Sequence, residues 1–401
     1  MKNNGVINVS ESVKWIGALD YDIVTFDVVM ETEYGTTYNS YFIDADKKVI
    51  VDTVKEKFWD SYLEKLKSVT DLNNIDYIVV NHTEPDHSGN IRNLLKAAPN
   101  AVVVGSGNAI RYLKDMIGPD FPHMIIKHGQ TLNLGNKSLQ FVGAPNLHWP
   151  DTIYTYLQEE MILFTCDSFG CHFCHEAMFD DEVGNIDDAF KYYYDVILKP
   201  FSKFMLRAIE RIRPLDIKIL CPGHGPILRS NWKKYVDLSE KYAEDAVKYP
   251  KNHRVFIPYV SAYHKTGVIA EKIAEGILSA GNIEVELQDI EKASLGELDE
   301  QITRSSAIIV GSPTINQNIL LPIYKLFALI NPLRDKGKMA GAFGSYGWSG
   351  ENKQMIETNL RNLKLNLFEE GIFVKFTPDE DEEKRCLAYG KAFGEALLYQ
   401  G

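Results

Sequence analysis

The amino-acid sequence predicts a two-domain α/β protein, in which a mixed α/β sandwich is followed by a doubly wound parallel sheet. Strands outnumber helices in the first half of the chain, whereas strands and helices alternate regularly after residue 254. A cluster of Lys, Pro and Asn residues at 248–252 lies between the two patterns. We therefore expect domains at residues 1–250 and 251–401, each long enough to bury its own core.

The first domain is predicted from short apolar strands separated by turns, with a few helices between them. Pro85 is expected to keep the chain after the fourth strand from continuing as strand or helix, and Ser88 or Asn90 is expected to cap the next helix. The predicted strands are 23–29, 37–43, 49–54, 77–80, 101–104, 138–144, 161–164 and 217–220. The predicted helices are 58–66, 91–95 and 230–247.

The second domain is predicted from five apolar strands with helical patterns between them, as in a doubly wound parallel sheet. An acidic run at 379–383 precedes the last helix, where negative charge is favourable at a helix N-terminus. The predicted strands are 255–260, 283–289, 307–310, 339–343 and 372–376, and the predicted helices are 266–278, 322–329, 354–365 and 384–399.

Composition and charge exclude several classes of function. The net charge of −12 argues against general affinity for nucleic acids or anionic membranes. No apolar run approaches the roughly 20 residues of a membrane span, and the start of the sequence lacks the apolar stretch of a signal peptide. The five cysteines are odd in number and clustered, unlike a secreted disulfide framework. A cytoplasmic protein is therefore expected.

Four side chains that can bind a metal follow the predicted strand 77–80 within six positions, namely His82, Glu84, Asp86 and His87. A single histidine in such a loop would be an ordinary turn residue. A dense set of ligands on a short loop between a strand and a helix instead suits a preorganised metal site.

Three further strands lead to potential ligands, which are His148, Asp167 and His224. Strand ends meet at one edge of a sheet sandwich, so these side chains are expected to join the first cluster. Seven ligands exceed what one tetrahedral ion needs. If Asp167 bridges two ions about 3.5–4 Å apart, all seven are used. The ligand types alone are compatible with zinc, manganese or iron.

The ligand order, a loop ending in Asp-His followed by separate His, Asp and His residues, resembles that of the metallo-β-lactamase fold, an αββα sandwich. The chain departs from the hydrolases of that fold because Glu84 stands where they usually have a second histidine. This substitution, joined to the second domain, resembles the flavodiiron proteins (A-type flavoproteins) over essentially the whole chain, 1–401. The resemblance implies one iron on His82, Glu84 and His148, a second on Asp86, His87 and His224, and Asp167 as the bridge.

The carboxylate of Glu84 agrees with this resemblance on physical grounds. Replacing an imidazole by a carboxylate adds negative charge and a hard oxygen donor, which favours iron that cycles between ferrous and ferric states. Zinc cannot change its oxidation state, so a zinc-filled site supports hydrolysis but not electron transfer. In the family the last histidine of this loop, here His87, is not always bound to metal.

The segment 171–175, Cys-His-Phe-Cys-His, permits two interpretations. Its Cys-x-x-Cys spacing is compatible with a second metal or redox site. The alternative is a loop beside the metal pocket, in which His172 or His175 supplies protons to a reduced oxygen species. Tyr194 is a further candidate for that role, although aromatic packing also accounts for it.

Three loops at the ends of predicted parallel strands, 261–267, 311–316 and 344–350, lie where a flavodoxin-like sheet binds FMN. They resemble the flavodoxin loops, although His264 stands where Gly or Asn is common. Trp348 or Tyr346 is expected to stack on the flavin ring. The expected FMN-binding residues are Ser261, Tyr263, Lys265, Thr266, Ser312, Pro313, Thr314, Asn316, Ser345, Tyr346, Gly347 and Trp348.

An external electron donor is expected, because no Gly-x-Gly-x-x-Gly follows a strand and no rubredoxin-type Cys-x-x-Cys pair stands near residue 401. The resemblance implies rubredoxin or a rubredoxin-type donor and a head-to-tail homodimer or a tetramer.

The leading hypothesis is a cytoplasmic flavodiiron oxidoreductase that contains FMN and two irons and reduces dioxygen to water, nitric oxide to nitrous oxide, or both, with dioxygen slightly favoured. The alternatives are a binuclear hydrolase with a regulatory flavodoxin domain, and a non-catalytic FMN electron carrier.

Overall fold

The computed structural model describes residues 5–26, 30–248 and 253–399. The chain folds into two units, Met1–Glu244 and Asp245–Gly401. The predicted boundary between residues 250 and 251 lies outside the described residues, as do 249–252 of the linker cluster and 27–29 of the predicted strand 23–29. The domain limits therefore stay a prediction.

The described strands of the first unit are β1 (Ile7–Asn8), β2 (Val13–Trp15), β3 (Ala18–Asp20), β4 (Thr25–Phe26), β5 (Met30–Glu31), β6 (Thr36–Tyr38), β7 (Tyr41–Ile43), β8 (Lys48–Val51), β9 (Ile75–Val80), β10 (Val102–Gly105), β11 (His123–Ile125), β12 (Thr131–Asn133), β13 (Ser138–Gly143), β14 (Ile153–Leu157), β15 (Ile162–Cys166) and β16 (Ile219–Pro222). Its helices are α1 (Trp59–Val69), α2 (Pro85–Ser88), α3 (Ile91–Ala97), α4 (Gly107–Ile117), α5 (Asp187–Tyr193), α6 (Ser202–Ile212) and α7 (Trp232–Lys248). Shorter 3₁₀ turns occur at Glu56–Phe58, Leu72–Asn74 and Lys199–Phe201, and a π-helical turn at Tyr194–Leu198.

Two sheets form the centre of the first unit. One has the order β1-β2-β7-β8-β9-β10-β11 and the other the order β12-β13-β14-β15-β16. Strands β8 to β11 run parallel in the first sheet, and β15 and β16 run parallel in the second. Because parallel strands end on the same side, the loops after β9, β15 and β16 can bring side chains to one edge.

The two sheets face each other and carry helices on their outer faces. Along β9 the side chains alternate, so that Val79 packs in the core that contains Phe164 of the second sheet. Ile78 belongs to the outer core, together with Leu66 of α1 and Ile209 of α6. The first unit is therefore the predicted αββα sandwich.

A buried lysine fixes the start of this sandwich. Lys65 of α1 donates to the backbone oxygen of Gly17 at 2.6 Å, and its ammonium lies 4.4 Å from the centre of the Trp15 ring. Burial lowers the pKa of Lys65 to about 8. The contact with the indole face offsets part of the cost of burying this charge.

The second unit is the predicted doubly wound sheet. Its sheet order is β18-β17-β19-β20-β21, with β22 also paired to β20, and the paired strands run parallel. The strands are β17 (Arg254–Tyr259), β18 (Glu284–Asp289), β19 (Ala307–Gly311), β20 (Met339–Tyr346), β21 (Asn366–Leu367) and β22 (Ile372–Lys375). The helices are α8 (Lys265–Ala280), α9 (Leu295–Arg304), α10 (Leu321–Leu329), α11 (Pro332–Asp335), α12 (Asn352–Asn362) and α13 (Glu380–Tyr399).

Helices cover both faces of this sheet, as the flavodoxin-like fold requires. Val255 of β17 packs with Ile273 of α8 and Phe393 of α13 on one side. Phe256, the next residue, packs with Leu326 of α10 on the other side. The strand order reverses direction at β17, and ligands bind in such sheets at the carboxyl ends of the strands beside this point. No helix within the described ranges is long and apolar enough to cross a membrane.

The structure corrects two local predictions. Pro85 does not prevent a helix but begins one, because Pro is well suited to the first helical position, where its missing N–H is not needed. Asn90 occupies the position before α3 but does not cap it through its side chain. Its amide instead donates to the backbone oxygens of Val54 and Lys55 at 2.9 and 3.0 Å.

Candidate functional site

The seven predicted metal ligands meet at one end of the first unit, each placed by the end of a strand or by the turn after it. The chain leaves β9 at Val80 and reaches His82 two residues later. The single turn α2 then brings Asp86 and His87 to the same point. The remaining ligands follow β13, β15 and β16 and are His148, Asp167 and His224.

The first group of ligands consists of His82, Glu84 and His148, with Asp167 beside them. The Nε2 atoms of His82 and His148 lie 3.2 and 3.0 Å from Glu84 Oε2. They lie 3.5 and 2.9 Å from Asp167 Oδ2. Two imidazole nitrogens and two carboxylate oxygens thus surround one point.

The second group consists of Asp86, His87 and His224. The Nε2 atoms of His87 and His224 lie 3.3 and 3.1 Å from Asp86 Oδ2. They lie 2.9 and 3.5 Å from the other oxygen of Asp167, Oδ1. Each oxygen of the Asp167 carboxylate therefore faces a different group, which is the arrangement of a carboxylate that bridges two ions.

The donor atoms fit a pair of cations. Both carboxylate oxygens of Asp86 and both ring nitrogens of His87 are buried and make no hydrogen bond among the described residues, so the short distances given above for these atoms are close approaches of potential ligands and not hydrogen bonds. Buried polar groups without partners are rare and costly, so these atoms call for a ligand of positive charge. Carboxylate oxygens and imidazole nitrogens together are a donor set that suits iron.

Electrostatics at the centre lead to the same conclusion. Burial alone would lower the pKa of His82 and of His148, but hydrogen bonds to carboxylates raise both values to about 10. Burial also opposes ionisation of Asp167. The charge of His87 and the hydrogen bond between Asp167 and His148 nevertheless hold the pKa of Asp167 well below its usual range. The centre keeps its carboxylates ionised and gathers positive charge around them.

Residues that the sequence analysis missed contact the Nδ1 atoms of two ligand histidines and the backbone beside one of them. Asp151 Oδ1 lies 3.3 Å from His82 Nδ1, and Thr37 O lies 2.6 Å from His224 Nδ1. Asn39 is fully buried and donates through its amide to the backbone oxygens of Pro222 and Gly225, at 2.9 Å each, on either side of His224. A carboxylate three residues after His148 was a signal for Asp151, but nothing in the sequence distinguishes Asn39.

His172 lies beside the second group, as one of the two interpretations of segment 171–175 predicts. Its ring centre is 5.1 Å from that of His224, and Nδ1 lies 2.8 Å from Thr36 Oγ1. Nε2 is buried without a hydrogen-bond partner among the described residues. Two aromatic rings pack against His172, those of Phe26 and Tyr193, with ring centres at 4.4 and 4.8 Å. Of the successive tyrosines it is therefore Tyr193, and not Tyr194, that contacts this histidine.

His175 and Tyr194 are placed away from these contacts. His175 is exposed, and its Nδ1 accepts the N–H of Ala177, which closes a local turn. Tyr194 is buried against Tyr242 and bonds to the hydroxyl of Ser202, so it has the packing role that the sequence analysis also considered. Tyr193 could not be chosen over its neighbours from the sequence, because three tyrosines occur in succession.

The cysteines of segment 171–175 are free and buried. Burial raises the pKa of the Cys171 thiol above its ordinary range and that of Cys174 to about 12. Protonated thiols are poor metal ligands and poor nucleophiles. Within the part of the chain that the structure describes, neither thiol belongs to a group of three potential ligands.

The three predicted flavin loops lie at the carboxyl ends of β17, β19 and β20, which are adjacent in the sheet. Ser261 Oγ accepts the N–H of Gly267 at the start of α8, and the Thr266 hydroxyl lies 2.9 Å from that of Ser345. His264 adopts a left-handed conformation with φ of 60°, which explains why Gly or Asn is common at this position. The N-terminus of α8 faces the loop and suits a phosphate group.

The second and third loops are tied together by a buried amide. Asn352 Nδ2 donates to Ser312 O and Ser345 O at 2.8 and 3.1 Å, and Thr314 N donates to Ser345 O at 3.0 Å. Asn352 is a further residue that the sequence analysis missed. The hydroxyl of Ser312 accepts the N–H of Leu320, and Asn316 has a positive φ of 54°. These contacts hold the loop edges in place.

Two large aromatic side chains stand exposed at these loops. Tyr263 and Trp348 are 79% and 78% exposed, whereas Tyr346 is partly buried. Exposed indole and phenol rings beside a helix N-terminus suit a ligand that has an aromatic ring and a phosphate, as FMN does. The remaining expected contacts, Lys265, Pro313 and Gly347, lie in the same three loops.

Comparison with known proteins follows the same division of the chain. A family model described as ODP family beta lactamase matches residues 36–225, and one described as Flavodoxin matches residues 257–390. A flavo-diiron protein of Clostridium acetobutylicum is 39% identical over 98% of this chain and 99% of its own length. A nitric oxide reductase of Moorella thermoacetica is 35% identical over 96% of this chain and 97% of its own length.

Solved structures of similar proteins match this chain over both domains. The rubredoxin oxygen:oxidoreductase of Desulfovibrio gigas has a TM-score of 0.76 and 27% identity, covering 98% of this chain and 99% of that one. The flavodiiron protein of Giardia intestinalis has a TM-score of 0.73 and 28% identity, covering 100% and 98%. Fold and site define a two-metal centre in a metallo-β-lactamase-like domain joined to a flavodoxin-like domain. The chain belongs to the flavodiiron protein family. The predicted family and fold are thereby confirmed.

Proposed function

We propose that this protein is a flavodiiron oxidoreductase, which passes electrons from an external carrier through FMN to a non-haem diiron centre. There it reduces dioxygen to water, nitric oxide to nitrous oxide, or both. The observation that carries this proposal is the carboxylate of Asp167, whose two oxygens face two separate groups of ligands. The iron ions supply one-electron steps, and a pair of them supplies two electrons together.

The protein determines the side from which a small substrate can reach the metal centre. The side chains of Glu84 and His148 are 14% and 17% exposed, whereas those of the other ligands are 5% exposed or less. A small molecule therefore reaches the centre from the side of Glu84 and His148. The buried side excludes water, which strengthens the electrostatic interactions there.

Hydrogen-bond donors lie on the buried side. The Nε2 atom of His172 has no partner among the described residues and lies in the layer behind His224. Burial raises the pKa of the Tyr193 hydroxyl well above its usual value and lowers the pKa of the His172 imidazole well below its usual value, so both groups are uncharged and each carries one proton. We assign His172 and Tyr193, in place of His175 and Tyr194, to donating hydrogen bonds to the reduced substrate.

FMN binds at the three loops of the second unit. The N-terminus of α8, with Ser261, Lys265 and Thr266, would hold its phosphate, and Trp348 would contact its ring. An exposed site of this kind suits electron exchange with another protein.

The relatives support the remaining proposals on partners. One relative is a rubredoxin oxygen:oxidoreductase and another a nitric oxide reductase, so a rubredoxin-type donor and either gas are the proposed partners. We also propose a head-to-tail homodimer or a tetramer and a cytoplasmic location. The match to flavodiiron relatives over the whole chain favours this function over the binuclear hydrolase.

Metal and flavin analysis followed by anaerobic reduction tests the proposal. Two irons and one FMN per chain are expected, with the reduced protein reoxidised on exposure to dioxygen or nitric oxide. Zinc occupancy together with hydrolytic turnover and no flavin reoxidation would overturn it.

The carboxylate of Glu84 provides a second test. The substitution Glu84→His restores the ligand type of the hydrolases, so iron content and gas reduction should fall while zinc binding is kept. Unchanged iron content and unchanged gas turnover in this variant would remove Glu84 from the argument.

A further inference from the structure

The ligand histidines differ in what holds the ring nitrogen that points away from the centre. The Nδ1 atom of His82 lies 3.3 Å from a carboxylate oxygen of Asp151, whereas that of His224 lies 2.6 Å from the backbone oxygen of Thr37. The Nδ1 atom of His87 has no partner among the described residues. An imidazole that gives its outer N–H to a carboxylate is a stronger metal ligand than one that gives it to a neutral oxygen or to nothing.

Asp151 also connects the segments that carry the first group. Its second oxygen, Oδ2, accepts hydrogen bonds from the backbone N and the hydroxyl of Thr83, both at 2.7 Å. Thr83 lies between His82 and Glu84, and Asp151 follows His148 by three residues. Asp151 is fully buried. One carboxylate therefore bonds to the ring of His82 and to the backbone between His82 and Glu84, and it stands in the same loop as His148.

Among the described residues, the second group has no carboxylate at the outer nitrogens of its imidazoles. The ring of His224 contacts the backbone oxygen of Thr37, and the chain around the two histidines is held through backbone oxygens that accept from Asn39 and Thr53. Both buried carboxylate oxygens of Asp86 lack a hydrogen bond within the described ranges. A further buried carboxylate nearby, that of Asp52, bonds to the backbone N and the amide of Asn81 and not to a ligand. The two groups have the same number of ligands but differ in preorganisation.

We propose that Asp151 makes the two metal sites unequal, so that the site of His82, Glu84 and His148 binds the first metal ion and holds it more tightly. The site of Asp86, His87 and His224 fills second and releases its ion first. Asp151 is thus a positioning residue for one site only. This inference rests on the proposed function in that both groups must bind metal.

Titration of the metal-free, FMN-containing full chain with Co²⁺ tests the inference, with binding followed by calorimetry and by the visible absorption of the bound ion. The wild type should bind two ions in two separate steps. In Asp151→Asn one dissociation constant should rise about 10–100-fold, while the other changes by less than about twofold.

Single-site backgrounds identify which step is affected. In a His224→Ala background, which keeps the first site, adding Asp151→Asn should weaken Co²⁺ binding about 10–100-fold. In a His148→Ala background, which keeps the second site, the same change should have no effect. Equal losses in both backgrounds, or no loss in either, would overturn the inference.

Matched controls separate positioning from folding. Asp180 is another buried carboxylate that accepts backbone N–H groups, from Arg229, Ser230 and Asn231, and Asp180→Asn should leave both Co²⁺ steps unchanged. If Asp151→Asn does not fold, Thr83→Val keeps the carboxylate and removes one of its hydrogen bonds, and should weaken only the first step by several-fold. A wild type that binds fewer than two ions would contradict the proposed function itself, whereas two equal sites would contradict only this inference.

Discussion

The loop that carries His224 depends on one buried amide, and removing that amide tests how the second metal group is held. Asn39 makes three side-chain hydrogen bonds of 2.9 Å. It accepts from the indole N–H of Trp15 and donates to the backbone oxygens of Pro222 and Gly225. Both backbone oxygens have a second donor, from the hydroxyls of Tyr41 and Thr37. Only the indole N–H therefore loses its single partner.

The expected cost of Asn39→Ala follows from these contacts. Three hydrogen bonds at about 1 kcal/mol each, together with the desolvation penalty of one stranded N–H at about 1–3 kcal/mol, lower the free energy of unfolding by about 4–6 kcal/mol. Urea unfolding of the metal-free protein measures this value. Binding of the second Co²⁺ should weaken as well, because the segment 222–225 is no longer fixed.

A double-mutant cycle isolates the contact with Trp15. Trp15→Phe removes the same hydrogen bond from the other side, so the losses from Asn39→Ala and Trp15→Phe should not add. The double variant should be about 1–3 kcal/mol more stable than the sum predicts. Full additivity, or a loss below about 1 kcal/mol for Asn39→Ala, would refute this account of the loop.

Three further changes have defined outcomes. The pKa of Lys65 is about 8 in the folded protein against 10.5 when unfolded, so the unfolded chain holds more protons between these values and stability rises with pH there. Between pH 7.5 and 10.5, the free energy of unfolding of the wild type, measured in urea, should rise by up to about 3 kcal/mol relative to that of Lys65→Met. Relative to Lys67→Met, a change at an exposed lysine, it should not rise in this way. Trp348→Ala removes the exposed ring and should weaken FMN binding about tenfold in a fluorescence titration, and unchanged affinity would exclude stacking by this residue. A methyl group in Gly223→Ala would stand 2.8 Å from Cε1 of His87, so one of two metal ions should be lost on dialysis, and retention of both would contradict the close packing of this turn.

Much of the fold could be predicted, because the hydrophobic pattern is set locally. The strand before the metal loop and strands β17 and β19 of the second unit are largely apolar, and β17, β19 and β20 appear within a few residues of their predicted limits. Helices α4, α5, α6 and α9 were not predicted, and neither were the single turns α2 and α11. Helix α6, for instance, buries Met205, Ile209 and Ile212 on one face, a pattern to which the sequence analysis assigned no helix.

The metal ligands could be predicted, because histidine and carboxylate side chains are recognisable as potential ligands in the sequence. The separation of the seven ligands into two groups around Asp167 agrees with the arrangement that the resemblance implied. Asn39 and Asn352 were not predictable as supporting residues, because they act through contacts between segments far apart in sequence. The position of Asp151 three residues after His148 was a signal, but its contact with His82 also joins distant segments. Distinguishing Tyr193 from Tyr194 likewise required the direction of each side chain around a helix.

The bridging carboxylate of Asp167 is the central claim, and anomalous diffraction from crystals of the protein as isolated tests it most directly. Data collected at the iron and zinc absorption edges should show two iron peaks, one beside Oδ2 of Asp167 among His82, Glu84 and His148, and one beside Oδ1 among Asp86, His87 and His224. A single peak, or peaks that appear only at the zinc edge, would contradict a redox centre with two irons.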